Sequence, residues 1–428
     1  RRIAEARKPG SRTMSSLDEP PAQAERSPIQ KGEDELGAPP IAHDEMLHHS
    51  PVLTRDRGVD TIGSMSTTSR FPSITPDALS ALRARIGQPA RRPEPYIEVA
   101  TADAIRHWAH GIGDRNPHWA AAGLAPPTIL FAMDRIASGY VGGLPGIHAM
   151  YGGTDFRWHR AIREGDRIVG QSVLKDLIEK PSAFARRAIQ QIYRTMFSNQ
   201  RGELVCEADS WCFRTERDTA RERGKYKATE AHRYTEAEIE EISRAYREED
   251  IRGAKPRLWE NVKVGEALPT VCKGPLTVTS VVAFVQGWGS LYVRAHGLAF
   301  DLFERHPALG IPNAFGVPEP PERVHWDEPF ARAVGVPGAY DYGPERVAWL
   351  GHVATNWMGN DGQLRRLSAQ VRRHNLIGDV TWCRGVVTAK REEGGQAVVD
   401  IELTAENQRH EITAKGTATV ALPRGKKT

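Results

Sequence analysis

Two short patterns recur in the same order, roughly 210 residues apart, and they constrain the fold more than any other feature of the chain. His159-Arg160-Ala161-Ile162-Arg163-Glu164-Gly165-Asp166 is echoed by Arg372-Arg373-His374-Asn375-Leu376-Ile377-Gly378-Asp379. Ser198-Asn199-Gln200-Arg201-Gly202-Glu203-Leu204 is echoed by Glu406-Asn407-Gln408-Arg409-His410-Glu411-Ile412. Both patterns are turns, with Gly, Asn and Asp where the backbone reverses. A single match is chance. Two in register, each beside a helix-plus-loop unit, indicate duplication of one supersecondary unit. Strand-like runs enriched in β-branched and aromatic residues flank the turns, at 167–177, 188–198 and 202–213 in the first copy.

Helical signals complete each copy. Thr75-Pro76 opens a short helix from Asp77 to Ile86, and Thr101 caps a second through Gly111. A loop follows, Gly113-Asp114-Arg115-Asn116-Pro117-His118-Trp119, and then 125–131, the expected start of a central helix. In the second copy Thr277 to Gly287 is helical, an inserted segment runs roughly from Ser290 to Pro320, and Val324–Gly359 holds the counterpart. There His325 and Asp327 stand on a loop, and Pro344 occupies the first helical position, where its missing N–H costs nothing. Val347, Leu350, Ala354 and Met358 recur at helical spacing, and Trp349 and Trp357 add bulk on other faces. This helix is expected to be buried nearly all round. Each copy then reads as one long helix wrapped by an antiparallel sheet, and the two sheets can pair edge to edge and remove exposed strand edges.

His325-Trp326-Asp327, Phe330-Ala331-Arg332, Gly335-Val336-Pro337-Gly338 and Tyr342-Gly343 resemble the MaoC-like (R)-specific enoyl-CoA hydratase and dehydratase family. That family carries a Gly-Asp-x-Asn-Pro-x-His-x-Asp loop ahead of an alanine-rich turn and a central helix. In the first copy Asp114, Asn116 and Pro117 match the same loop. The resemblance spans roughly residues 75–425 and implies an α+β double hotdog. Its parts are an N-terminal hotdog at 75–214, a charged linker at 215–256 and a C-terminal hotdog at 257–425, after a disordered extension at 1–68. It implies reversible hydration of 2-enoyl thioesters, dehydration of 3-hydroxyacyl thioesters, and no cofactor. Such a reaction needs a base for water, an acid for the α-carbon and donors for the thioester oxygen.

The chain departs from the pattern at the reacting groups. The first copy has Trp119 at the His position, with His118 one place early. The second keeps His325, but counting back from it puts Pro320 at the Asp position, between Glu319 and Glu322. The catalytic candidates are therefore His325 with Glu319 or Glu322, or His325 with Asp114 from the other half. Asn116, Asp327, Tyr342 and Gly343 are candidate substrate-binding positions, and Arg372 and Arg373 suit the phosphates of an acyl-CoA. Each has a plainer reading as a turn, cap or rim residue. Two other functions fit the split motif: a non-catalytic acyl-thioester-binding subunit, and a thioesterase.

Composition narrows the partners. A net charge of +4 over 428 residues, with spread basic groups, leaves no nucleic-acid footprint. No apolar run approaches the roughly 18 residues of a membrane span. Cys206, Cys212, Cys272 and Cys383 include no CxxC pair, so neither a disulfide framework nor a metal site is expected, and a cytoplasmic location is. Residues 1–68 are rich in Arg, Pro, Ser, Glu and Asp, a composition expected to stay disordered, and Met65 reads as a more natural start. The expected partners are an acyl-CoA or acyl-carrier-protein thioester and a second hotdog chain, as homodimer or heteromer.

Overall fold

The computed structural model describes residues 73–181, 187–216 and 232–425. The expected disorder of 1–68 and the linker portion 217–231 lie outside the described residues. The first copy comprises α1 (Pro76–Arg83), α2 (Ala102–Gly111), α3 (His118–Ala122), α4 (Leu130–Met133) and strands β1 (His148–Trp158), β2 (Val169–Lys180), β3 (Ala188–Ser198) and β4 (Leu204–Thr215). Helix α5 (Glu236–Arg247) connects to the second copy. That copy comprises β5 (Val271–Lys273), α6 (Val278–Trp288), α7 (Gly297–Arg305), the small hairpin β6 (Ile311–Pro312) and β7 (Pro318–Glu319), and α8 (Glu328–Ala333). It continues with α9 (Gly343–Met358), β8 (Gln363–Val371), β9 (Thr381–Glu393), β10 (Gln396–Asn407) and β11 (Ile412–Ala421).

Nine strands form one sheet in the order β2-β3-β4-β1-β8-β11-β10-β9-β5. The two copies contribute β2-β3-β4-β1 and its reverse, β8-β11-β10-β9, and join where β1 and β8 pair antiparallel, Phe156 opposite Leu367. The repeated turns match atom for atom. Asp166 accepts from the Arg163 N–H at 2.8 Å, and Asp379 from the Leu376 N–H at 2.9 Å. Asn199 accepts from the Arg201 and Glu203 N–H groups and donates to the Glu203 carboxylate. Asn407 does the same with Arg409 and Glu411. The left-handed position is Gly202 in one hairpin and His410, at φ 59°, in the other.

The capping threonines are equivalent too. Thr101 accepts from Ala104 N, Thr277 from Ser280 N, and each helix reaches a glycine ten residues later. Those glycines, Gly111 and Gly287, are where α2 and α6 cross. A Cβ on Gly287 would lie 2.6 Å from the His107 carbonyl oxygen, a backbone atom that cannot swing aside. Gly287→Ala is therefore expected to lower stability by about 1–3 kcal/mol, the usual cost of overpacking. A fall in the urea midpoint checks it.

The central helices differ between the copies. α9 is buried along its whole length, as its pattern predicts, but it is not apolar throughout: Glu345, Arg346, His352, Thr355 and Asn356 are all buried. The expected first-copy counterpart is cut short. Pro127–Ile129 is a single 3-10 turn, α4 adds four residues, and Asp134 turns extended to end it, its Oδ1 accepting from Ala137 N. α5 lies within the charged linker and docks through Ile242, buried against Cys272 and Val380, while Ile239 stays exposed. Among the described residues no helix is long and apolar enough to cross a membrane.

Candidate functional site

The truncated first helix leaves space over the second copy, and a cavity of about 1370 Å³ occupies it. His325, Glu322, Tyr342, Gly343, Arg372 and Arg373 all line it. His325 ends a 3-10 turn (Pro321–His325) and is 9% exposed. Its ring stacks on Tyr342 at 3.7 Å, and its Nδ1 lies 2.7 Å from the Tyr340 carbonyl oxygen. A carbonyl only accepts, so Nδ1 carries the proton and Nε2 is the basic nitrogen. Tyr342 is the residue before α9, and its hydroxyl is buried beside the Glu322 carboxyl. Gly343 opens the helix beneath Tyr151, whose Cδ1 a Cβ there would approach to 2.3 Å.

Glu322 is buried and fully engaged. Its carboxylate accepts from Ser290 Oγ at 2.5 Å, Tyr292 N at 2.6 Å and Leu291 N at 3.1 Å. Burial pushes its pKa up, and these donors only partly oppose the shift. Counted from the capping threonines, Asp114 corresponds to Ser290, thirteen residues past Thr277. The position that holds an aspartate in the first copy thus holds a serine in the second, and that serine is bonded to a carboxylate from beyond the insertion. Glu319 does not line the cavity; it pairs with Arg323 at 3.2 Å. Asp327 caps α8, its Oδ1 accepting from Phe330 N at 2.9 Å. Arg346 pairs with Asp341 at 2.7 Å beneath the start of α9, and both are buried.

The equivalent loop of the first copy closes on itself. Asp114 accepts from the Asn116 N–H and, at 2.8 Å, from the Trp119 indole N–H, so an indole occupies the imidazole's place. Asn116 accepts from the His118 N–H, an Asx turn. The long α9 fills the space next to this loop, leaving a cavity of about 50 Å³ lined by Asn116, Trp119, Thr355 and Met358 among others. Asp114 meets a histidine, but it is His352 of α9 at 3.3 Å, not His325. Glu249, just after α5, reaches the same imidazole at 3.2 Å and also accepts from Asn356. Lys273 of β5 is buried with its ammonium 2.8 Å from Ile112 O, 3.0 Å from Gly113 O and 2.9 Å from His352 Nδ1. Those contacts use all three ammonium protons, so Nδ1 accepts and the ring proton sits on Nε2, between the two carboxylates. Burial raises Glu249, but the His352 contact, Lys273 and Asn356 outweigh it and bring its pKa down to about 2.

Residues 85–208 match a family model described as FAS1-like, dehydratase domain region. Among curated proteins none matches the chain. A solved structure titled MaoC-like dehydratase superposes with a TM-score of 0.55 at 16% identity, covering 80% of this chain and 100% of the other. A putative MaoC domain protein dehydratase from Chloroflexus aurantiacus J-10-fl superposes at 0.50 and 14%, covering 80% and 96%. This chain has the double-hotdog fold of these two structures.

In this double hotdog the structure gathers six of the ten candidate residues at one cavity and leaves four outside it. Asp114 and Asn116 belong to the closed first-copy loop, and Glu319 and Asp327 hold local structure. Sequence reasoning missed Glu249, Lys273 and His352. Isolated charged residues in a linker, a short strand and a helix carry no local signal. It also missed Ser290, for which a signal existed: counting forward from Thr277, rather than back from His325, reaches it.

Burial lowers the His325 pKa from 6.5 to about 4. The unfolded chain takes up this proton near 6.5 and the folded chain only near 4. This group therefore costs no stability above pH 6.5 and removes it progressively as pH falls towards 4. In the cavity the imidazole stays neutral over the same window. The expected profile of kcat/KM has its acid limb below pH 5 rather than near 6.5, while the urea midpoint falls between pH 7 and 5. A limb at 6.5 would mean a solvated His325.

Proposed function

We propose that this chain reversibly hydrates 2-enoyl thioesters and dehydrates 3-hydroxyacyl thioesters, using the second-copy cavity. One observation carries the reading. A neutral, buried His325, a Glu322 carboxyl of raised pKa and the buried Tyr342 hydroxyl beside it line a single cavity at the start of the central helix. The dehydratase-region match over 85–208 supports it.

In the hydration direction His325 Nε2 takes a proton from water as the water oxygen bonds to C3. The π pair moves toward the thioester carbonyl, and Glu322 returns a proton to C2. The Tyr342 hydroxyl and the N–H groups at the start of α9 donate to the thioester oxygen while it carries enolate charge; Pro344 cannot contribute. The proton on the imidazolium then passes back to Glu322 through solvent. The ligand is an acyl-CoA or acyl-carrier-protein thioester, and Arg372 and Arg373 at the rim suit its phosphates. The functional assembly is a homodimer or a heteromer with another hotdog chain, in the cytoplasm.

A second reading rests on Glu322. Its oxygens already accept from three donors, which suits an anchor for the inserted segment as well as an acid. On that reading the cavity binds acyl thioesters without hydrating them. Loss of enone absorbance with a panel of trans-2-enoyl-CoA thioesters tests the proposal. Turnover supports the hydratase. Binding without turnover supports the binding subunit, and release of free CoA identifies a thioesterase.

A further inference from the structure

The cavity has a buried charge at one end that the proposed chemistry does not use. Arg214 of β4 lines it and is 3% exposed. Its terminal nitrogens donate to the carbonyls of Gly142, Leu144 and Ile147 and to the Gln191 amide oxygen, so the side chain holds the loop that walls this end. Every one of those acceptors is neutral. Among the described residues the ionisable groups facing the guanidinium are Cys212, Tyr193 and Tyr292, with no carboxylate in ion-pair reach. The Nε–H has no acceptor. Arg346, a buried arginine on the same cavity, has Asp341 at 2.7 Å. Loop carbonyls could be held by neutral amides, whereas a buried, uncompensated charge costs stability until an anion joins it.

The rest of the lining does not supply that anion. Arg214, Arg346, Arg372, Arg373, Arg409 and Lys415 line the cavity against only two carboxylates. Glu322 is held by Ser290, Leu291 and Tyr292. Glu411 is held by Arg373, Arg409 and Asn407. Arg214 also stands apart from the basic rim. It lies on β4, whereas Arg372 and Arg373 follow β8, two strands away across β1, and Lys415 lies on β11, three strands away, or roughly 10 Å and 14 Å at the usual strand spacing.

We propose that the acyl chain taken by this cavity ends in a carboxylate, which neutralises Arg214. The substrates would then be ω-carboxyl 2-enoyl or 3-hydroxyacyl thioesters. The choice of thioester rests on the hydratase reading; the carboxylate does not.

The test compares binding of hexanoyl-CoA with adipyl-CoA, followed by calorimetry. Both chains are saturated, so binding is read without turnover. The expected result for the wild type is roughly 10–100-fold tighter binding of adipyl-CoA, the range of a charge-assisted contact. Arg214→Met should abolish the preference and Arg214→Lys should keep part of it. If loss of the loop contacts unfolds Arg214→Met, the wild-type ratio and Arg214→Lys still decide. Equal or weaker binding of adipyl-CoA to the wild type overturns the proposal, as does failure to bind either. The matching enoyl pair, trans-2-hexenoyl-CoA and 5-carboxypent-2-enoyl-CoA, separates the two claims. A carboxylate preference in binding without hydration of either refutes the hydratase and leaves the ligand chemistry standing. Hydration that favours the methyl-ended chain does the reverse.

Discussion

On the proposed hydration of enoyl thioesters, His325→Gln is expected to lower kcat by roughly 10²–10⁴-fold, the range lost with a general base, while the protein stays folded. Glutamine approximates the size of the ring and can still donate to the Tyr340 carbonyl, so the contact that orients position 325 survives. What disappears is the basic nitrogen. Because the group acts on water and not on the ground-state thioester, KM should change little and the loss should appear in kcat. Single-turnover hydration with circular dichroism of the same sample checks both halves of the statement. A variant that keeps more than a tenth of wild-type kcat would remove His325 from the chemistry. Glu322→Gln should also lose activity. Its carboxylate additionally ties Ser290, Leu291 and Tyr292 to the chain beyond the insertion, so its effect will mix activity with stability.

Lys273→Met is expected to destabilise the fold by about 2–5 kcal/mol, because each buried acceptor left without its donor costs about 1–3 kcal/mol. The ammonium is buried and its three protons meet Ile112 O, Gly113 O and His352 Nδ1. Without it two carbonyls and an imidazole nitrogen lose their donor, and Asp114 loses its nearby positive charge. Glu249 keeps Arg115, at 3.0 Å. The measurement is urea unfolding of the single variant, Asp114→Asn and the double variant. Coupling should make the double variant less damaged than the sum of the singles. A cost below about 1 kcal/mol would mean that the cluster is solvated rather than a lock between the copies. Catalysis at the other cavity should survive at temperatures where the variant is folded.

Much of the architecture was legible because it rests on local chemistry. The Gly-Asp and Asn-x-x-x-Glu turns depend on side chains bonding backbone two to four residues away, so their repetition marked the duplication. The Thr101 cap, the helix after Thr277, the Ala188–Ser198 strand and the burial of α9 followed from periodicity and capping in the same way. His325, Glu322, Tyr342 and Gly343 could be grouped as candidates because they sit on one loop and the helix it leads into.

Only the tertiary structure decided what depends on distance in space. It set the two cavities against each other: α4 stops at Asp134, so the cavity over the second copy is open, while the full-length α9 closes the space over the first. It gave Asp114 to His352, because the first-copy loop lies against the second-copy helix. It drew Glu249 out of a charged linker and Lys273 out of a three-residue strand into one buried cluster. Burial also changed what the residues are. The imidazole of His325 is neutral and the Glu322 carboxyl is raised because water is excluded, and exclusion of water is a property of packing that no local pattern encodes.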